Sequence, residues 1–174
     1  MSEELVVLLD DAGTRIGTAA KASIHTEATP LHLAFSCYLF NDAGQLLMTR
    51  RALSKKTWPG VWTNSFCGHP GEEESFEDAM IRRAEQELGT TIISIQPLLP
   101  NFRYRAVDAS GIVENEICPV FTARITGDLA PHADEVAEYA WVDPAALRSS
   151  ALGTPFAFSP WLLEQIAQGS LDTH

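Results

Sequence analysis

Three of the five histidines, His25, His32 and His69, and two glutamates, Glu114 and Glu116, are residue types that hold divalent ions. Glu114 and Glu116 are two apart in a segment that reads as a strand, so their side chains share a face. Two carboxylates so placed repel unless a positive charge lies between them. Imidazoles joined by carboxylates suit zinc, manganese or iron. Taken singly, each of the five is most often a solvated or core residue, and the metal reading needs all of them to converge.

A second group is Asn64-Ser65-Phe66-Cys67-Gly68-His69-Pro70. In an extended chain Cys67 and His69 point to the same side, which sets a thiol beside a candidate metal ligand. Gly68 and Pro70 give that thiol an irregular setting of the kind found at functional sites. Cys37 in an apolar run and Cys118 beside Pro119 fit the buried structural cysteine better. A third group is basic: Lys21, Arg50, Arg51, Lys55, Lys56, Arg82 and Arg83. Such side chains are usually solvated or in surface ion pairs. Arg51 to Lys56, however, flank a loop and have the chemistry to grip a phosphate.

The elements that must position these groups follow from the pattern. Val6 to Leu9 reads as a strand, His32 to Phe40 as a central strand, and Gln45 to Thr49 as its hairpin partner across Asn41-Asp42-Ala43-Gly44. A loop runs from Ala52 to Asn64, and Ser65 to Cys67 is short and extended. Glu74 to Leu88 is the clearest helix, with Ser75 as N-cap, Asp78 three residues on, and Gly89 just past its end. Ile92 to Leu99, Phe102 to Arg105 and Tyr139 to Val142 are strands, and Ile112 to Arg124 contains the longest late strand. Asp143-Pro144 and Ser159-Pro160 each start a helix. The pattern predicts an α/β sandwich, a mixed β-sheet flanked by helices, in one domain.

Bulk composition narrows the partners. The chain has 174 residues and a net charge of -11, which argues against a nucleic-acid binder. A local basic cluster still admits a small anion. The apolar run Leu5 to Leu9 is too short to span a bilayer. The start Met1-Ser2-Glu3-Glu4 is acidic where a signal peptide is basic. Three cysteines without close spacing are no disulfide framework. A cytoplasmic protein without membrane or nucleic-acid partners, and a monomer, is the expectation.

From Gly68, Glu74 follows after five residues and Arg82 after seven more, then Arg83-Ala84-Glu85-Gln86-Glu87-Leu88-Gly89. This resembles the Nudix box, G-x5-E-x7-R-E-U-x-E-E-x-G-U, with Gly68, Glu74, Arg82, Glu87 and Gly89 in place. Arg83 and Gln86 stand where the box has glutamates, and Thr90 where it ends on an apolar residue. Those glutamates hold the metals that activate water in Nudix hydrolases, so two lost carboxylates count against diphosphate hydrolysis. Arg83 and Glu87, one turn apart, also suit a plain ion pair.

Longer blocks are more specific. Leu31 to Ser36, Thr49 to Lys56, Trp58 to Ser65, Cys67 to Pro70, Phe102 to Arg105, Gly111 to Glu116 and Ala157 to Trp161 resemble the type 1 isopentenyl diphosphate isomerases. The resemblance runs from about Val6 to Trp161 and implies that residues 1–174 form a single Nudix-like isomerase domain. It implies Cys67 and Glu116 as the acid–base pair, Tyr104 as the tyrosine that assists Glu116, and Trp161 as the aromatic facing a developing carbocation. It puts one divalent metal, Mn2+, Zn2+ or Mg2+, on His25, His32, His69, Glu114 and Glu116. It puts a substrate-bound Mg2+ on Glu87 and the main-chain carbonyl of Cys67, and the diphosphate on Lys21, Arg51, Lys55 and Arg83. The implied substrate is isopentenyl diphosphate, converted to dimethylallyl diphosphate. A diphosphate hydrolase on the same fold and a non-catalytic, metal-stabilised binding module are the competing readings.

Overall fold

The chain builds two mixed sheets and crosses between them three times. The computed structural model describes residues 3 to 172. The first sheet is built of β1 (Leu5–Leu9), β2 (Arg15–Ala20), β3 (His32–Leu33), β9 (Arg103–Val107) and β10 (Val113–Ile117), in the order β2-β1-β3-β10-β9. The second has the order β12-β5-β4-β11-β8. Its strands are β4 (Phe35–Phe40), β5 (Leu46–Arg51), β8 (Ile92–Leu99), β11 (Val120–Ile125) and β12 (Val136–Val142). Two short strands attach to it: β6 (Trp62–Thr63) to β5, and β7 (Phe66–Gly68) to β4.

The expected mixed sheet is thus present and divided. The run from His32 to Phe40, read as one strand, is β3 and β4, one in each sheet. The run from Ile112 to Arg124 is likewise β10 and β11. Both breaks occur together. The Ala34 amide donates to Ile117 and the Ser36 amide to Pro119, so the parallel pair changes sheets as a unit. Pro119 has no N–H to extend a ladder, which sets the break on its strand. The longest late strand is instead β12, with seven residues. The pattern of Arg15 to Ala20 carries no clear apolar alternation, and β2 is a largely exposed edge that sequence reading passed over.

The helices follow their end signals. α2 (Phe76–Leu88) is capped by Ser75, which accepts from the Asp78 amide, and closed by Gly89 in the left-handed region at φ 59°. α3 (Pro144–Gly153) and α4 (Pro160–Ala167) start behind Asp143 and Ser159, each with proline at the first position. α1 (Lys21–Ile24) is a single turn. Ala79, Met80, Ala84 and Leu88 of α2 pack on Phe35, Leu39 and Phe66. Leu162 and Ile166 of α4 pack with Tyr38, Phe102 and Val120 on the other side of the second sheet. Among the described residues no helix is long and apolar enough to cross a membrane.

Candidate active site

Strand register assembles the site. In the first sheet Glu116 lies opposite His32 on one neighbour and opposite Tyr104 on the other. Residues paired across strands project from the same face. His32, Glu116 and Tyr104 therefore form one row, and Glu114, two residues back, adds to that face. In the second sheet Cys67 on β7 lies opposite Ser36 on β4. The two sheets bring this thiol to the row of the first.

Glu116 is the hub. Its Oε1 accepts from His69 Nε2 at 3.1 Å and faces His32 Nε2 at 3.3 Å, while its Oε2 accepts from the Tyr104 hydroxyl at 3.0 Å. Ligand atoms of His25, His32, His69 and Glu116 all lie within 4.8 Å of one another. Glu114 is joined to this group rather than inside it: His25 Nε2 donates to one oxygen at 3.1 Å and Thr57 to the other at 2.9 Å.

The donor set fits a cation. His32 Nδ1 donates to the Pro30 carbonyl at 2.9 Å, so the neutral ring carries a lone pair at Nε2. That lone pair faces a carboxylate oxygen, which is repulsive without a proton or a metal ion between them. His32 Nε2 and His69 Nδ1 are buried and have no hydrogen-bond partner. The electrostatics carry the same demand. Burial disfavours charge on His32, but hydrogen bonding and attraction from Glu116 outweigh it and raise its pKa. Burial would raise Glu116, yet the His32 and His69 imidazoles hold it well below the ordinary carboxylate range. Burial lowers His69 and keeps it neutral, the form that binds a metal.

A cavity of about 420 Å³ opens onto this cluster, within the usual range of roughly 300–1,000 Å³ for small-molecule sites. Its lining includes five cationic side chains, Lys21, Arg51, Lys55, Lys56 and Arg83, together with Cys67, Tyr104, Glu116 and Trp161. Lys55 pairs with Glu135, and Arg83 donates to Glu87 at 2.7 Å and lies 3.6 Å from Glu135. The expected Arg83–Glu87 ion pair is thus present, inside the cavity rather than on the surface. Burial raises the Glu87 carboxyl despite the pull of Arg83. Glu87 lies outside the histidine group. Burial pushes the Cys67 thiol up to about 11, against hydrogen bonds from Ser36 and Asn64.

Trp161 sits in the first turn of α4 and is buried. Its ring meets Tyr104 at 5.8 Å and the edge of Trp58 at 5.4 Å, with the Arg51 guanidinium 5.3 Å above it. Trp58 adopts φ 43° immediately before Pro59. A left-handed non-glycine residue costs about 1–3 kcal/mol, and such strain gathers at functional sites. Lys21, also paired to Glu4, borders the cavity with the other residues that the isomerase resemblance implied, His32 through the ligand cluster, whereas Arg50 and Arg82 of the basic group lie outside its lining and pair with Glu138 and Glu74.

Ser36, Thr57, Trp58, Asn64 and Glu135 were given no role by sequence reading. Trp58 and Asn64 stood inside a recognised block, but nothing in their types announced a contact. Glu135 enters from a loop after β11, and no sequence spacing reports that approach.

A profile of the NUDIX domain matches residues 30–162. Among solved structures, a Deinococcus radiodurans protein superposes with a TM-score of 0.72 at 20% identity, covering 95% of this chain and 98% of that one. A MutT protein from Methanosarcina mazei gives 0.62 at 20%, covering 82% and 94%. At that identity they establish the fold. The isopentenyl-diphosphate Delta-isomerase of Paenarthrobacter aurescens is 64% identical, over 95% of this chain and 90% of its own length. The chain belongs to that isomerase family. The Leifsonia xyli isomerase is 62% identical over 94% of this chain and 89% of its own, and that of Salmonella paratyphi B 56% over 95% and 91%.

Gly68 marks how tightly this isomerase-family site is packed. A Cβ there would lie 2.7 Å from the Arg83 side chain and 2.8 Å from Phe35. Gly68→Ala is expected to destabilise the fold by about 1–3 kcal/mol through overpacking and to weaken diphosphate binding through Arg83. Denaturant unfolding and KM measure the two effects; an unchanged KM would detach Arg83 from the substrate.

Proposed function

We propose that the protein isomerises isopentenyl diphosphate to dimethylallyl diphosphate, with Cys67 and Glu116 exchanging protons across the five-carbon tail. The observation that carries this reading is one cavity lined by five cations together with a thiol, a carboxylate, a tyrosine and a tryptophan. Such a cavity anchors a diphosphate and surrounds a small apolar chain with proton-transfer groups. Arg83 and Gln86 at box positions leave few carboxylates for water activation, which sets the hydrolase reading aside.

The difficulty of the reaction is protonating an unactivated alkene, which creates a tertiary carbocation. One of Cys67 and Glu116 adds a proton at the terminal methylene; the other removes one from the methylene on the diphosphate side. Tyr104 holds one oxygen of Glu116 and assists its proton transfer. Lys21, Arg51, Lys55 and Arg83 hold the diphosphate, and Glu87 and the Cys67 carbonyl would hold an Mg2+ that neutralises its charge. His25, His32, His69, Glu114 and Glu116 would hold a divalent ion, Mn2+, Zn2+ or Mg2+. When bound, that ion supplies positive charge that fixes the carboxylate and sets its proton affinity. Action as a monomer is part of this reading. Three free cysteines accord with a cytoplasmic setting. The test is nuclear magnetic resonance of isopentenyl diphosphate with the protein in deuterated water. Deuterium entering the methyl groups of dimethylallyl diphosphate is expected; release of inorganic phosphate instead would replace the reading with hydrolysis.

Trp161 separates a carbocation route from simple deprotonation. An indole close to a desolvated cation contributes roughly 2 kcal/mol or more. Trp161→Phe is expected to retain part of kcat and Trp161→Leu to lose far more, with smaller changes in KM because the charge develops only in the transition state. A tertiary-amine diphosphate should bind much tighter than substrate and lose that advantage in Trp161→Leu. Equal inhibition of both, with Phe and Leu equally active, would leave Trp161 as packing.

A further inference from the structure

Two buried polar side chains touch the Cys67 sulfur, and each is held by a residue of α4. Asn64 Nδ2 lies 3.4 Å from Cys67 Sγ, and Ser36 Oγ lies 3.2 Å from it. Trp161 Nε1 reaches Asn64 Oδ1 at 3.2 Å, and Gln165 Nε2 reaches Ser36 Oγ at 3.1 Å. Trp161 and Gln165 are four residues apart, one turn along one face of α4.

The directions of these bonds are fixed by chemistry. An indole N–H only donates, so the oxygen of Asn64 must face Trp161. Its nitrogen is then turned toward the carbonyls of Cys37 and Phe66, with the sulfur a third, shared contact, while the oxygen also accepts from Thr63 and lies 3.6 Å from the Cys67 thiol. Tyr38 donates to Gln165 Oε1, so the Gln165 nitrogen faces Ser36. Ser36 accepts that bond and meets two sulfurs, Cys67 at 3.2 Å and Cys118 at 3.5 Å, the shorter contact being to Cys67. Asn64, Ser36 and Gln165 are all fully buried, so water does not compete for these partners.

We propose that Asn64 is a positioning residue for the isomerisation: its carboxamide fixes the Trp161 indole and the Cys67 sulfur relative to each other, and Ser36, oriented by Gln165, seats the same sulfur from a second direction. The proposal rests on the isomerase reading. Cys67 must meet one carbon of the substrate while Trp161 meets the charge that forms beside it. A fixed distance between them is what a proton transfer to a small, featureless tail requires. Displacement of about 1 Å in such a pair costs about 10²-fold in rate. Asn64 alone offers an acceptor to one partner and a donor to the other; aspartate keeps only the first, and alanine neither.

The test is a double-mutant cycle between Asn64→Ala and Trp161→Phe, with the Trp161 indole N–H followed by nuclear magnetic resonance in parallel. Asn64→Ala is expected to lower kcat by about tenfold or more with KM nearly unchanged. In the Trp161→Phe background, where no N–H remains to be held, the same change should cost several-fold less. The indole resonance should move in Asn64→Ala and stay in place in Ser36→Ala, which should still lower kcat. Equal losses in both backgrounds, an unmoved indole resonance, or full kcat in Ser36→Ala would overturn the proposal. If Asn64→Ala does not fold, Asn64→Asp serves: kcat should fall while the indole resonance persists, and wild-type kcat would overturn the donor role. Wild-type protein that converts no isopentenyl diphosphate would defeat the isomerase reading itself, whereas the resonance reports the Asn64–Trp161 bond without substrate.

Discussion

Cys67→Ala and Glu116→Gln are each expected to remove measurable isomerisation while the fold persists. Acid or base groups contribute about 10²–10⁴-fold apiece, and here neither has a neighbour able to replace it. Cys67 is the cavity's only thiol, with Cys37 and Cys118 fully buried. Glu116 is the carboxylate bonded by Tyr104, and Gln keeps its shape without its charge. The two variants differ in a second observable. Cys67→Ala leaves the histidine cluster untouched and should retain metal. Glu116→Gln removes the charge that faces His32 and His69 and should bind metal more weakly. Steady-state turnover, circular dichroism and metal content of the purified variants check this together. A folded Cys67→Ala protein with near-normal kcat would take Cys67 out of the chemistry.

Chelation to a metal-free state is expected to abolish turnover, with divalent ions restoring it to different degrees. The reason is local: His32 Nε2 and the Glu116 carboxylate face each other at 3.3 Å and need positive charge between them. Protons and metal compete for that place. His32 has a raised pKa, so its protonated form persists to higher pH than in an ordinary histidine. Since only the neutral ring binds metal, affinity should fall as pH drops through that raised value, and loss should begin on the less acidic side of the usual histidine range. Bound ion also favours the folded state by mass action, so the unfolding temperature should fall on chelation and recover on adding metal. Elemental analysis after dialysis across a pH series reads the competition. Full turnover in protein shown to hold no metal, or metal content flat from about pH 5 to 8, would remove the ion from the mechanism.

Helix ends and single-strand positions were legible because their causes are local. Ser75 and Gly89 bracket α2 as their types dictate, and Asp143-Pro144 and Ser159-Pro160 start α3 and α4. The period of two that places Glu114 and Glu116 on one face is a property of extended backbone alone. The recognised blocks fixed the family, and with it the expected residues of the cavity. The breaks at Ala34 and at Cys118-Pro119 were not legible. Each lies inside an apolar, β-forming run, and only the presence of a second sheet gives the chain a reason to leave the first.

What the sequence alone determined, then, was which groups are present, where the caps and turns fall, and which side chains share a strand face. Tertiary structure decided which of them meet. Opposition of Glu116 to His32 and to Tyr104 is a matter of strand register, and register depends on pairing between segments far apart in the chain. The same holds for Asn64 between Trp161 and Cys67, and for Glu135 beside Lys55 and Arg83. Polar side chains of this kind are ordinary at the level of composition. Burial gives them their roles, because without water a donor such as the Trp161 indole must be satisfied by the acceptor the fold brings to it.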